Sequence, residues 1–312
     1  MTELPIQYYC PEVTIEFLQR QCPVRDSFLG IMEVEESRIQ KDQAEISIGA
    51  SLFDKDVNDI VGVASGNALE WRTRYKEGLV RNLDRLAQWD RDACLNLFVE
   101  PELSEWVVGL MSRYSFLNVH TMRHPSHGAT GTFWRFLVFD EAFDLGSKMC
   151  YSVDLDEDVI CGVEQMDKYS PCRSVFCDPV QDRAVLRELD ARLYTPIRAG
   201  LFSARNKDVD FNVPEIVARF FDYQNSWQHI HEPRTEYNRP TVCWPLGFGN
   251  TWNRYCSDER FLSKVFYYYI SRAGAQDMVC FEDSLTEKDP PLLADSRFTI
   301  ETGNNVHAIP RS

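Results

Sequence analysis

Between residues 44 and 160, β-prone apolar runs alternate with amphipathic helical stretches, and no other feature constrains the fold as much. Ala44 to Phe53 is a short β-prone run ending in small residues, the form of a first core strand and its loop. Trp71 to Trp89 carries Leu79, Leu83 and Leu86 with charges between them, which predicts an amphipathic helix. Cys94 to Val99 reads as a second strand. Pro101 then opens a helix through Leu103, Trp106, Val107 and Leu110, and Phe116 to Met122 is a third strand. Phe133 to Phe139, apolar except for Arg135, is expected to start a helix; an acidic bend at Asp140 to Asp144 follows, then a strand running to Asp154. Such alternation predicts an α/β protein, a Rossmann-like, mixed and mostly parallel sheet flanked by helices in a single large domain.

Ligands of such sheets lie beyond the carboxyl ends of the strands, and there the chain carries Asp154-Leu155-Asp156. Two carboxylates spaced one residue apart at a strand exit can share a hard divalent cation such as Mn²⁺ or Mg²⁺ with the phosphates of a substrate. Acidic pairs are common in acidic chains, so the alternative is a solvated surface turn. The strand context favours the cation.

Composition narrows the partners. The chain has 312 residues, 44% of them hydrophobic, and a formal charge of −15. That is enough apolar material for a large core. No Lys/Arg-rich run is present, which argues against a stable complex with nucleic acid. There is no apolar run long enough to span a membrane and no secretory pattern at the start, so a cytoplasmic protein is expected. Ten scattered cysteines without a C-x-x-C pair fit reduced thiols better than a zinc knuckle or disulfide frame.

Outside the alternating region the reading is coarser. Ile31 to Gln43 is charged and helix-like; Asp182 to Leu193 and Val213 to Tyr223 read as helices, and Thr241 to Asn253 as a loop. Phe261 to Ile270 is an apolar helix or strand, and the stretch from Lys288 is polar and tail-like. His120, His124 and His127 cluster at the end of the third strand; Pro125 favours a loop over the helix that a zinc site of this spacing requires. His229 and His231 default to surface positions. Arg135 needs a carboxylate partner inside its apolar run, an aspartate of the Asp154/Asp156 pair being one candidate. Asp258 and Glu259 are candidates for a general base, and Asp283 a weaker one; Ser257 before them equally suits a helix N-terminus.

Several runs together resemble a family of nucleotide-sugar-dependent glycosyltransferases of the GT-A type. They are Gly49-Ala50-Ser51-Leu52-Phe53, Tyr75 with Gly78, Leu79 and Asn82, Phe133-Trp134-Arg135-Phe136-Leu137, and the aspartate pair about twenty residues later. Arg198 to Arg205, Asp258-Glu259-Arg260-Phe261-Leu262 and Phe281-Glu282-Asp283-Ser284 continue the likeness to about residue 285. The chain departs from the family pattern at Val153, Glu157, Glu259 and Glu282, where that family carries arginine, serine, glutamine and histidine.

The resemblance implies transfer of a sugar from a nucleoside diphosphate sugar to a hydroxyl acceptor, with Mn²⁺ or Mg²⁺ on Asp154 and Asp156 and His307 as a third ligand. Ser51, Tyr75, Asn82, Arg135 and Asp154 would then line the nucleotide, and Asp258 and Glu259 would serve catalysis. It divides the chain into an extension (1–43), a nucleotide-sugar-binding half (44–160), an acceptor-side half (161–287) and a tail (288–312). The acceptor is expected to be a glycan, with a protein or a hydroxylated DNA base as further options. A metal-dependent phosphohydrolase or nucleotidyltransferase using the same aspartates, and a non-catalytic nucleotide- or glycan-binding module, are the rival readings.

Overall fold

The computed structural model describes residues 13–54, 68–126, 128–167, 175–178, 198–204, 209–226, 257–266, 269, 278–282, 298–302 and 305–308. Helices α1 (Ile15–Gln21) and α2 (Asp26–Leu29) lead into strands β1 (Val34–Arg38) and β2 (Ile46–Leu52). Helix α3 (Ala68–Leu86), β3 (Ala93–Val99), α4 (Pro101–Met111) and β4 (Leu117–Met122) follow. A 3-10 segment (Gly128–Phe139) precedes β5 (Met149–Val153) and α5 (Val159–Asp167). Then come β6 (Val175–Asp178), β7 (Arg198–Ala204), α6 (Val213–Ser226) and α7 (Ser257–Phe261), which continues as a π turn (Leu262–Phe266). Strands β8 (Met278–Glu282), β9 (Phe298–Thr302) and β10 (Asn305–Ala308) complete the described elements.

These strands form one sheet in the order β1-β4-β3-β2-β5-β7-β6-β8-β9-β10. Strands β4, β3, β2 and β5 are parallel neighbours, β7 runs antiparallel between β5 and β6, and β6, β8 and β9 are parallel again. Antiparallel β1 and β10 cap the two edges. The chain builds outward from β2 through β3 to β4, then returns to place β5 on the other side of β2. That reversal puts a topological switch point at the carboxyl ends of β2 and β5, the place where open α/β sheets generally form a ligand crevice.

Helices on both faces explain why every residue of β2 and β3 is buried and why these strands read as nearly unbroken apolar runs. One face packs Leu79, Leu83, Leu103 and Val107 of α3 and α4 against Ile48, Leu95, Leu97 and Tyr151. The other is aromatic: Phe133, Trp134, Phe136, Phe139, Phe202, Phe220, Phe221, Phe261 and Phe266 form one cluster. The 3-10 segment crosses β2 at Gly49, where a Cβ would stand 2.5 Å from the Arg135 carbonyl oxygen and 2.6 Å from Val138 Cβ. Only glycine lets the segment lie that close.

Several expectations need correction. Ile31 to Gln43 holds a 3-10 turn and edge strand β1 rather than a helix; charges on β1 face solvent, as edge strands allow. Residues 13–43 are no appendage. Ile15, Leu18 and Phe28 are buried in the aromatic core, and Arg219 of α6 donates to the carbonyls of Gln19 (3.2 Å) and Cys22 (2.5 Å). The stretch beyond 288 contributes β9 and β10 to the sheet. Phe133 to Phe139 is helical but wound as 3-10. The helix expected at 182–193, the loop at 241–253, and His127, His229, His231 and Asp283 lie outside the described residues.

Among the described residues no helix is long and apolar enough to cross a membrane. Cys22, Cys94, Cys150 and Cys161 are free thiols. Burial pushes the thiols of Cys22 and Cys94 up to about 12, so both stay protonated at neutral pH.

Candidate functional site

The last registered pair between β2 and β5 is Ala50 with Val153, so Asp154, the first residue past β5, follows next to Ser51, which is still paired with Phe98 of β3. The Ser51 hydroxyl is buried and has no hydrogen-bond partner among the described residues. The Asp154 side chain is 30% exposed. Arg135 reaches this point from the 3-10 segment, with a side chain only 3% exposed. Its Nη1 donates to Asp154 Oδ1, and its Nη2 donates to Asp258 Oδ2 at 2.6 Å. Its buried Nε has no partner among the described residues.

Arg135 therefore has two carboxylate partners, one of them in the expected aspartate pair. Burial alone would lower its pKa, but the charges of Asp154 and Asp258 outweigh that and hold it above the ordinary guanidinium range. The group is permanently charged. Asp258 itself is buried at the start of α7, beside the Ser257 hydroxyl, which is also buried and unpartnered among the described residues. Helix α7 is held there by Phe261, whose ring lies 5.9 Å from those of both Phe133 and Phe136. The second half of the chain thus supplies Asp258 to a cluster otherwise built by the first half.

Asp156, two residues beyond Asp154, is 10% exposed and pairs with Arg74 of α3 at 2.7 Å. The same helix holds the backbone of this loop. Asn82 Nδ2 donates to the carbonyls of Leu155 (3.0 Å) and Glu157 (2.9 Å), and Asn82 Oδ1 accepts from Val159 N at 3.2 Å. Arg81 donates to the carbonyls of Asp156 (2.9 Å) and Glu157 (3.4 Å), and Arg85 pairs with Asp158. Asn82, which the resemblance puts beside a nucleotide, is buried behind the loop. Tyr75 is half-buried on α3, close enough to Arg135 for its hydroxyl to act on that charge.

Not every candidate converges here. His307 lies on β10, and β7, β6, β8 and β9 separate that strand from β5. Five strand spacings amount to about 24 Å, so the sheet does not bring His307 to the aspartates. Glu259 follows Asp258 in α7. His120 lies within the third strand expected at Phe116 to Met122, which corrects its reading as part of a loop. It is a buried residue of β4, with Ser37 Oγ 2.9 Å from its Nδ1 and Asn96 Oδ1 3.2 Å from its Nε2. Burial pushes its pKa down to about 4.

One residue at this rim escaped the sequence reading. Glu100 is buried just past β3 and accepts from Asp54 N (2.6 Å) and Ser126 N (3.0 Å), tying two rim loops together. An acid between a strand exit and a proline at a helix start was the available signal.

Among the described residues no group of three or more His, Cys, Asp and Glu side chains is arranged to hold a metal ion. Two carboxylates suffice, however, for a cation that takes its other oxygens from water and substrate phosphates, as Mg²⁺ commonly does. The carboxylates of Asp154 and Asp156 have the hard-oxygen chemistry that Mn²⁺ or Mg²⁺ requires.

No family model and no curated protein matches the chain. Among solved structures it is similar to the 4-diphosphocytidyl-2C-methyl-D-erythritol synthase of Anaerococcus prevotii, at 11% identity and a TM-score of 0.29. That match covers 59% of this chain and 85% of the other. A likeness this slight singles out neither sugar transfer nor nucleotidyl transfer.

Proposed function

We propose that the protein is a transferase acting on a nucleotide-activated substrate bound at the β2/β5 crevice, with Asp154 and Asp156 sharing Mn²⁺ or Mg²⁺ with its diphosphate. The observation that carries this reading is Arg135, a buried guanidinium that joins Asp154 to Asp258 and, among the described residues, keeps Nε unpaired at the strand exits. Buried polar atoms without partners are rare in folded proteins, and a donor of this kind suits a phosphate oxygen. The Ser51 hydroxyl adds a second donor nearby.

In its specific form the proposal is glycosyl transfer from a nucleoside diphosphate sugar to a hydroxyl of a glycan, a protein or a hydroxylated DNA base. A bound cation supplies Lewis-acid stabilisation of the diphosphate leaving group. The chain's own residues do the rest. Arg135 adds fixed positive charge in a water-poor crevice, where it costs no reorganisation during the reaction. Asp258 keeps that guanidinium in place, and Glu259, the next residue of α7, is the candidate base for the acceptor hydroxyl.

Nucleotidyl transfer is the second reading. It is favoured by a described site whose chemistry is all cation and phosphate, with nothing among the described residues that selects a sugar. The two readings differ in the bond that breaks, sugar to oxygen or phosphorus to oxygen.

Thermal melting against UDP, GDP, dTDP, CDP and their sugar conjugates, with and without Mn²⁺, tests both. A ligand at 100 times its dissociation constant stabilises by about 2.7 kcal/mol, a readily measured shift. A Mn²⁺-dependent shift lost in Asp154→Ala/Asp156→Ala supports the site, and the released product then decides. A free nucleoside diphosphate marks sugar transfer, sugar 1-phosphate released as the nucleoside monophosphate is transferred marks nucleotidyl transfer, and binding without turnover leaves a nucleotide-binding module. Absence of any shift overturns the proposal.

A further inference from the structure

The loop that carries the aspartates makes more bonds to α3 than a solvated turn requires. Residues 74, 78, 81, 82 and 85 recur at helical spacing and so share one side of α3. All five meet the segment 155–159. Arg74 takes the Asp156 carboxylate, Arg81 takes two carbonyls, and Arg85 takes the Asp158 carboxylate. Asn82 is the buried centre of this set, 1% exposed, with both amide donors on carbonyls and its oxygen on an N–H. Gly78 completes it: a Cβ there would stand 2.2 Å from the Leu155 carbonyl oxygen and 3.1 Å from Asp156 Cα.

We infer that α3 is a splint that fixes the backbone of the aspartate loop, with Asn82 and Gly78 as positioning residues for the two carboxylates. The inference deepens the cation-site reading proposed above and rests on it for its functional consequence. The physical reason is the step from strand to helix. Asp154 follows β5 directly and inherits its direction, and Arg135 holds it. Asp156 lies in the turn before α5, where neither strand nor helix bonds dictate its backbone. A carboxylate in a free turn would sample many orientations, whereas a cation shared with a diphosphate needs both aspartates in one. Asn82 supplies what the turn lacks. Its amide brackets Asp156, donating to the carbonyls of Leu155 and Glu157 on either side and so fixing the peptide groups that flank it. Gly78 lets the helix approach until those bonds close.

Two neutral variants separate positioning from general stability. Asn82→Leu keeps approximate volume and charge but cuts all three bonds to the loop. Gly78→Ala cuts none and raises the intrinsic helix propensity of α3, yet its methyl must push the loop away. Leu83→Ala, a core truncation in the same helix, is the control for lost stability. The dissociation constant for Mn²⁺ alone, from the spectrum of the free ion, and amide hydrogen exchange over residues 155–160 are measured for each.

Asn82→Leu and Gly78→Ala are expected to weaken Mn²⁺ binding about tenfold or more, the range seen when outer partners of metal ligands are removed. Exchange should quicken over 155–160, with Leu83→Ala leaving the Mn²⁺ constant within twofold. Wild-type Mn²⁺ affinity in both variants overturns the inference. If the wild type itself does not bind Mn²⁺, the cation reading fails and exchange alone decides the splint. Faster exchange confined to 155–160 in Asn82→Leu then upholds it, and unchanged or uniformly faster exchange overturns it.

Discussion

Arg135 and Asp258 lie 123 residues apart in sequence and 2.6 Å apart in space, both nearly inaccessible to solvent. This pair ties the two halves of the chain together at the point where the first half presents Asp154. A guanidinium with two carboxylates on separate nitrogens uses the fork geometry that lysine lacks. The pair also carries the first prediction. Arg135→Met leaves the buried Asp258 carboxylate without its counter-charge, a change that costs about 3 kcal/mol or more. Urea unfolding should show that loss, and Arg135→Met/Asp258→Asn should regain a large part of it. Equal losses in the single and double variants would mean that the two residues do not act as a pair.

Asp154→Asn should behave differently. Arg135 keeps Asp258, and Asp154 is partly exposed, so the destabilisation should be smaller than that of Arg135→Met. Mn²⁺-dependent stabilisation by a nucleotide should nevertheless disappear. Melting curves with and without Mn²⁺ check both halves of this expectation. A variant that keeps the metal-dependent shift would remove Asp154 from the proposed cation site.

Stability should fall on mild acidification because of His120. Its folded pKa is pushed down to about 4 by burial, against 6.5 in the unfolded chain. A depressed histidine pKa contributes stability that is full above pH 6.5, declines as pH falls, and is gone below about pH 4. The size is about 3 kcal/mol for the whole window. Unfolding free energies measured between pH 7 and pH 4 should show this slope, and His120→Gln should remove it. An identical slope in the variant would place the acid sensitivity elsewhere.

Two glycines should respond oppositely to alanine. Gly49→Ala drives a methyl into the Arg135 carbonyl and Val138, so the 3-10 segment must lift from β2; overpacking of this kind costs about 1–3 kcal/mol. The same shift moves Arg135, so nucleotide binding should weaken as well. Gly109 sits in α4, where an added methyl group would meet nothing within 4 Å among the described residues. Gly109→Ala should therefore stabilise by about 0.5–1 kcal/mol. Denaturant midpoints of the two variants give the comparison.

The parts of the fold visible from sequence were those with a local period. β2, β3, β4 and β5 are short apolar runs, and α3 and α4 carry their apolar stripe at helical spacing, so hydrophobic pattern and element coincide. The Rossmann-like class follows from their alternation, and the exit of β5 marked Asp154 and Asp156. Pattern failed where burial came from all sides or from none. Phe133 to Phe139 is buried around its whole circumference, so no stripe distinguishes 3-10 from α winding. Strand β1 is an exposed edge whose charges imitate a helix surface.

The candidate site divides along the same line. Which residues are acidic, and that two aspartates end a core strand, are properties of neighbouring residues and can be read along the chain. That Asp258 meets Arg135, that Asn82 serves the aspartate loop from behind, and that His307 sits five strands away are matters of strand order. Strand order is decided by which faces bury together, a sum over the whole sheet that no short segment carries. The aspartates come from the sequence; their counter-ions and their rigidity come only from the packed fold.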